Sequence, residues 1–265
     1  MRTCAALAAL AAVIVGYLRF APQRWQGAGG MSLLGEAHIR GGGDARRFAN
    51  AMHREARQIW QSPSTDWNTA SVGPVRVESI RIDLGPFNRS GVLLTRAVTS
   101  LANASAGELY ALLTSPEGFA IIDPMSDPAD FSEYLRKYRW GGRRLELAEA
   151  KVEAVPGLSR AREFCVLNAF DGRARTFVSK SVQHNAMPGS SPYADGGDPP
   201  AGRVRALNTF ALRTTPLPGG MARLELINYA DLVGSPTLMN WINVKAFLPG
   251  LVDRLHARLA RGQSR

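Results

Sequence analysis

The stretch that most constrains this chain is its last apolar one, Pro236–Ala260. Trp241, Val244, Leu248, Leu251, Val252, Leu255 and Leu259 recur at helical spacing and form one apolar face. Asn240, Asn243, Asp253, Arg254 and Arg258 fall largely off that face. Pro236 suits a first helical turn, which needs no amide donor, and Pro249-Gly250 falls mid-pattern, where it is expected to kink or split the helix. A closing helix of this length needs a broad surface to lie on, and strand-like segments precede it. Two readings fit the pattern: a helix packed on a sheet, or a lid over a cavity inside that sheet.

The chain can build such a core unaided. Its 265 residues are 45% hydrophobic and 20% charged, a globular balance with enough chain for one large domain or two small ones. Cys4 and Cys165 make neither a disulfide framework nor a metal cluster. The net charge is +10, and 28 of the 32 basic residues are Arg. They are spread along the chain and not clustered with aromatics, which argues against nucleic acid and leaves an anionic membrane surface as the basic partner.

Thr3–Leu18 is an uncharged apolar run between Arg2 and Arg19. As helix it spans roughly 24 Å, short of the roughly 30 Å hydrocarbon core, so it reads as a signal peptide or short signal anchor over residues 1–26. Tyr17, Phe20 and Trp25 suit an interfacial anchor, and the lack of acidic residues before Glu36 keeps organelle targeting open. Gly27–Gly43 holds seven glycines and reads as a linker.

An amphipathic helix is expected over Asp44–Gln61, capped by Asp44 and ended by Pro63. Val75–Leu84 and Val92–Leu101 read as strands. Ser105 and Glu108 form a capping box for a helix that stops at Ser115-Pro116. Asp127-Pro128 opens another helical pattern, with Phe131, Tyr134, Leu135 and Tyr138 on one face. Asp123, Asp127 and Asp130 lie close together, but no further ligand is spaced to join them, so neither metal nor cofactor is expected. Then strands dominate: Arg144–Val155, a hairpin of Arg162–Ala169 and Thr176–Val182 around Asp171-Gly172, a loop over Met187–Gly202, and Arg203–Leu212 with Met221–Tyr229. The order specifies an α+β fold with one curved antiparallel sheet.

Four motifs in this half carry a resemblance. They are Ser159-Arg-Ala-Arg162-Glu-Phe164-Cys-Val, Ser181-Val-Gln-His184 with Met187-Pro188, Val204-Arg205-Ala206, and Asp231-Leu-Val-Gly234-Ser-Pro236. In order and rough spacing they resemble START domains, the steroidogenic-acute-regulatory-protein-related lipid-transfer family. The resemblance covers about Asp44–Arg261 and implies a START-like domain over residues 44–262. It implies a helix-grip fold: a curved antiparallel sheet wrapped around a long C-terminal helix, enclosing a hydrophobic cavity for one lipid. The family's strand Asp is Glu163 here, and Ala161 replaces a Pro. By spacing from Arg162, Glu149 falls where sterol-binding members have a cavity Glu, and Asn168 where they have a cavity Arg.

On this reading the cargo is a single lipid, carried between membranes or sensed, with its class (sterol, phospholipid or other) open. The candidate cavity wall is Phe164, Val166, Val178, Phe210, Leu224, Leu226, Trp241, Val244 and Leu248, with Glu149, Asn168 and Arg205 as polar contacts. Arg254, Arg258, Arg261 and Arg265 are candidates for anionic membrane contact. Helix-grip cyclases do chemistry in the same cavity, and Glu149 with His184 would be the acid and base of that alternative. Asn88-Arg-Ser90 and Asn103-Ala-Ser105 are glycosylation acceptors if the leader is secretory.

Overall fold

Alternating strands of this sequence assemble into one sheet. The computed structural model describes residues 36–81, 92–102, 104–122, 133–140, 143–152, 162–184, 204–231 and 240–262. The leader, Asp123, Asp127, Asp130, both glycosylation triplets and Pro236 fall wholly or partly outside the described residues. The strands are β1 (Ala37–His38), β2 (Asn68–Val72), β3 (Val75–Arg81), β4 (Leu93–Leu101), β5 (Glu133–Trp140) and β6 (Arg143–Val152). They continue as β7 (Arg162–Asp171), β8 (Thr176–Gln183), β9 (Val204–Arg205), β10 (Leu207–Pro216) and β11 (Ala222–Asp231). Their order in the sheet is β2-β3-β4-β11-β10-β8-β7-β6-β5, with the short β1 and β9 attached to β8 and β7; the main path is antiparallel throughout, and β1–β8 and β7–β9 are parallel.

Side chains alternate between the two faces, so each face has its own core. One face lies beneath α1 (Gly42–Gln61), where Ala45, Ala49, Met52, Ala56 and Ile59 pack on Leu94, Leu147, Cys165, Leu167, Val178, Ala211 and Ile227. The other, which we call the concave face, packs Val77, Ala97, Phe170, Phe177, Leu212, Leu224 and Leu226 against Leu248, Leu251, Val252 and Leu255 of α4 (Leu248–Gly262). Two short helices, α2 (Ala106–Leu113) and α3 (Pro116–Ile122), close one end of the concave core through Leu109, Leu113 and Ile122.

The local chemistry accounts for these elements. The α2 capping box is formed as expected: Glu108 N donates to Ser105 Oγ at 3.2 Å, and Glu108 Oε2 accepts from Ser105 N at 3.0 Å. Asp44 accepts from the Arg40 N–H at 3.1 Å and pairs with Arg47, although α1 begins two residues earlier, at Gly42. Asp171 Oδ1 accepts from Ala174 N at 3.0 Å in the β7–β8 turn, where Arg175 holds φ 49. Gly73, at φ 57, sits in the β2–β3 connection, a conformation that favours glycine.

Three expectations are corrected. Glu133–Trp140 is a strand, not part of a helix: Tyr134, Leu135 and Tyr138 fit a helical stripe, but β6 recruits the segment as its antiparallel edge partner, with a register shift between Tyr134 and Arg136. The segment read as linker enters the fold, since Ala37–His38 is a strand and Gly42 and Gly43 lie in α1. Pro249 does not split the closing helix. A π-helical segment, Ile242–Phe247, precedes it and runs on into α4, the wider turn absorbing the missing amide donor and the ring.

Candidate functional site

Register places a band of polar side chains across the concave face. Glu146 is the Cα partner of Asn168, Asn168 of Ser179, Ser179 of Phe210, Phe210 of Asn228, Asn228 of Thr95 and Thr95 of Ser79. All seven are buried, and Phe210 alone is apolar. The neighbouring row towards α2 is Phe170, Phe177, Leu212, Leu226, Ala97 and Val77, an apolar floor under α4. Phe177 and Phe210 tie the two rows together with ring centroids 6.3 Å apart, and Phe210 meets Phe247 of the closing helix at 6.3 Å, edge to face. On the side away from that floor, Ala148, Phe164, Val166 and Ala206 form a small separate cluster.

Part of the band is satisfied internally. Asn228 Nδ2 donates to Asn243 Oδ1 at 3.0 Å, joining sheet to closing helix, and Thr95 Oγ1 donates to the Asn228 carbonyl at 2.9 Å. Leu93 N donates to Asn240 Oδ1 at 2.7 Å, pinning the helix start to β4. Part is not. Glu146 Oε1 lies 3.4 Å from Arg144 Nε, whose guanidinium stands over the Phe170 ring at 3.8 Å. Glu146 Oε2, Asn243 Nδ2 and Thr99 Oγ1 are buried with no hydrogen-bond partner. Each such group costs about 1–3 kcal/mol when unpaired, so a hydrogen bond supplied to any of the three from outside would be favourable.

The face beneath α1 carries buried charge pairs, alongside His53 Nε2, Trp60 Nε1 and Tyr138 Oη, which are also buried with no hydrogen-bond partner. Lys180 Nζ lies 3.0 Å from both Glu55 Oε2 and Thr209 Oγ1, and burial pulls the Lys180 pKa down while Glu55 opposes it. Arg96 Nε contacts Glu78 Oε2 at 2.5 Å and its guanidinium also reaches the Ile59 and Ser62 carbonyls at the end of α1. Burial raises the Glu78 pKa, but hydrogen bonds from Arg96 and Ser64 outweigh it and hold the carboxyl below its ordinary value. His53 contacts Thr176 Oγ1 at 3.4 Å, and burial pulls its pKa down to about 4, with the Arg143 charge adding to the effect.

The structure distributes the expected wall residues unevenly. Phe164, Val166, Asn168, Phe210, Leu224 and Leu226 lie on the concave face, and Leu248 and Val244 pack there from the closing helix. Val178 does not: it pairs with Ala211 and packs under α1, because strand parity turns it away from Phe177. Glu149 does not either, being the Cα partner of Cys165 on the α1 face. The expected acid–base pair of Glu149 and His184 is therefore not assembled on the concave face. Trp241 is 48% exposed and is no wall residue. Arg205 pairs with Glu163 through its backbone, and its side chain lies outside the described residues. Glu146, Ser179, Asn228 and Asn243 went unread in the sequence, although inward-facing polar residues among apolar neighbours were the available signal.

Sheet, α1 on its outer side and a long closing helix across its concave side together are the helix-grip arrangement of START-type domains. No protein-family profile matches the chain, and no curated protein is significantly similar to it. Solved structures are. Human StAR-related lipid transfer protein 5 superposes with TM-score 0.57 at 18% identity, covering 82% of this chain and 95% of its own. Human STARD10 gives TM-score 0.55 at 14% identity, covering 84% and 81%, and the lipid transfer and protein localization domain of human StarD13 gives 0.50 at 18%, covering 78% and 94%. The fold is START-like α+β. Among the described residues no helix is long and apolar enough to cross a membrane, and no group of three residues is placed to hold a metal ion.

Proposed function

We propose that this protein binds one lipid between the concave face and the closing helix, and carries it between membranes or reports its presence. The observation that carries the reading is the band Glu146–Asn168–Ser179 crossing the concave face beside an apolar row, with the Glu146 Oε2 acceptor left unfilled. An acyl chain or ring system gains about 0.8 kcal/mol per buried CH₂ against such walls, which offsets the loss of the bilayer. A hydroxyl or amine on the cargo donates to Glu146 Oε2, while the Asn168 amide across from it can both accept and donate. The likeness to lipid transfer proteins supports the class of cargo, and Glu149, the acid of the cyclase-type alternative, lies on the α1 side of the sheet and away from the concave face.

The test is native mass spectrometry of the full chain purified from cells, followed by lipid extraction. One lipid per protein is the expected result. An empty protein that also takes up no lipid from vesicles overturns the reading.

A further inference from the structure

Two large apolar side chains are exposed among the described residues, Trp241 at 48% and Met221 at 38%, and they mark opposite ends of the sheet. Trp241 follows Asn240, which accepts a hydrogen bond from Leu93, the first residue of β4. Met221 precedes Ala222, the partner of Leu101, the last residue of β4. The Leu93 end holds more than Trp241. Arg81, exposed, pairs with Leu93, and Lys245 lies about one turn along the helix from Trp241. The chain also joins the fold at this end: β1 pairs with Val182 and Gln183, the last residues of β8, and exposed Arg40 follows it. Of the acidic groups here, Asp44 is engaged by the Arg40 amide and Arg47, Glu36 lies beside Gln183, Glu163 is half-buried at the start of β7, and Asp231 and Glu133 have side chains outside the described residues.

Two of the arginines expected to meet a membrane, Arg254 and Arg258, are at the other end and are engaged, and Arg265 lies outside the described residues. Arg254 Nε donates to the Ile121 carbonyl at 2.8 Å, and Arg258 pairs with Glu117, both residues of α3.

We propose that the Leu93 end of the sheet is a bilayer-docking face. Trp241 sits at the headgroup level, where an amphipathic ring belongs, and exposed Arg81 takes anionic headgroups. In the sequence an apolar run, Thr3–Leu18, lies ahead of β1, on the chain that enters the fold at this end. The face that docks is also the end at which the closing helix is pinned to β4 by Asn240, so contact with the bilayer falls where release of the helix would begin.

The experiment uses the full chain in a Cys4→Ser background, the remaining Cys165 being buried. An environment-sensitive fluorophore is placed at Trp241→Cys or at Met221→Cys. Vesicles of phosphatidylcholine with phosphatidylserine carry a nitroxide-labelled lipid as quencher. A label at 241 should shift to the blue and be quenched several-fold more strongly than one at 221, and Arg81→Glu should weaken the quenching at 241. Equal quenching at the two positions, stronger quenching at 221, none at either, or no effect of Arg81→Glu would overturn the proposal. Lipid extracted from the same preparations reads the carrier function separately: docking by a protein that never holds lipid sinks the carrier reading and leaves the docking face in place.

Discussion

Glu146 on β6 faces Asn168 on β7 across the concave side of the sheet, while Glu149, three residues further on, is the partner of Cys165 on the side beneath α1. The difference is one of parity, and it separates two carboxylates that the sequence alone does not distinguish. Glu146 is 4% exposed, with one oxygen near Arg144 and the other unfilled. Glu146→Leu should therefore raise the melting temperature of the lipid-free protein and lower its lipid affinity about tenfold, the loss of one good hydrogen bond. Glu149→Leu should leave lipid affinity unchanged. Titration of delipidated protein with a fluorescent lipid checks both, and equal losses from the two substitutions would count against the polar band as a headgroup contact.

The second prediction concerns how α1 is held. Lys180 and Glu55 form a buried ion pair at 3.0 Å under that helix, with Thr209 as a third member. Removing one charge leaves the other unpaired, so Lys180→Met alone should cost about 3–5 kcal/mol in urea unfolding. Lys180→Met with Glu55→Leu should return to within about 1 kcal/mol of the parent or exceed it. A single substitution as mild as the double one would show that the pair is not desolvated in solution.

Much of this architecture is legible in the sequence, and the exceptions have physical causes. The capping box at Ser105, the Asp171-Gly172 hairpin and the apolar stripe Leu248, Leu251, Val252 and Leu255 rest on local rules, and the structure shows all three. Glu133–Trp140 follows a partner strand that no local pattern reveals. The candidate site depends on parity and register. Val178 and Phe177 are adjacent and equally apolar, and only the pairing with β10 decides which of them reaches the concave face. Asn243 reads as an off-face residue of the closing helix until the π-helical segment turns it onto Asn228.

The third prediction is a pH dependence. Burial and the Arg143 charge pull the His53 pKa from 6.5 to about 4, with Asp171 opposing. The folded protein thus takes up this proton later than the unfolded chain does. Stability is full above the unfolded value of 6.5 and is lost as pH falls from there to about 4, by roughly 3 kcal/mol. Asp171 and Glu78, whose pKa values are lowered, keep their contributions above the ordinary carboxyl range and lose them as pH falls through and below it. Urea midpoints between pH 7 and 5 therefore isolate the histidine. His53→Gln should flatten the profile in that window, and a parent profile already flat there would show that His53 takes its proton freely.

The last prediction sets two glycines against each other. A Cβ on Gly118, in α3, would lie 2.0 Å from the Leu112 carbonyl oxygen and 2.7 Å from Leu113 Cα. Both obstacles are backbone and cannot rotate away, so Gly118→Ala must push α3 off the end of α2. That shift drags on Phe119, which packs edge to face on Phe177 at 5.7 Å, and on the carbonyls of Ile121 and Ile122 that Arg254 holds. The expected cost is about 1–3 kcal/mol or more, with unfolding at lower urea and an unchanged slope. Gly107 lies in α2 with its nearest neighbour, Ser105 Oγ, at 4.0 Å from the Cβ position, so Gly107→Ala meets ordinary contact only. It should stabilise the fold by about 0.4–1 kcal/mol by reducing the freedom of the unfolded chain. The same chemical change is thus expected to act with opposite sign eleven residues apart (118 − 107), and like effects at the two sites would mean that α3 does not sit against α2 as closely as the backbone places it.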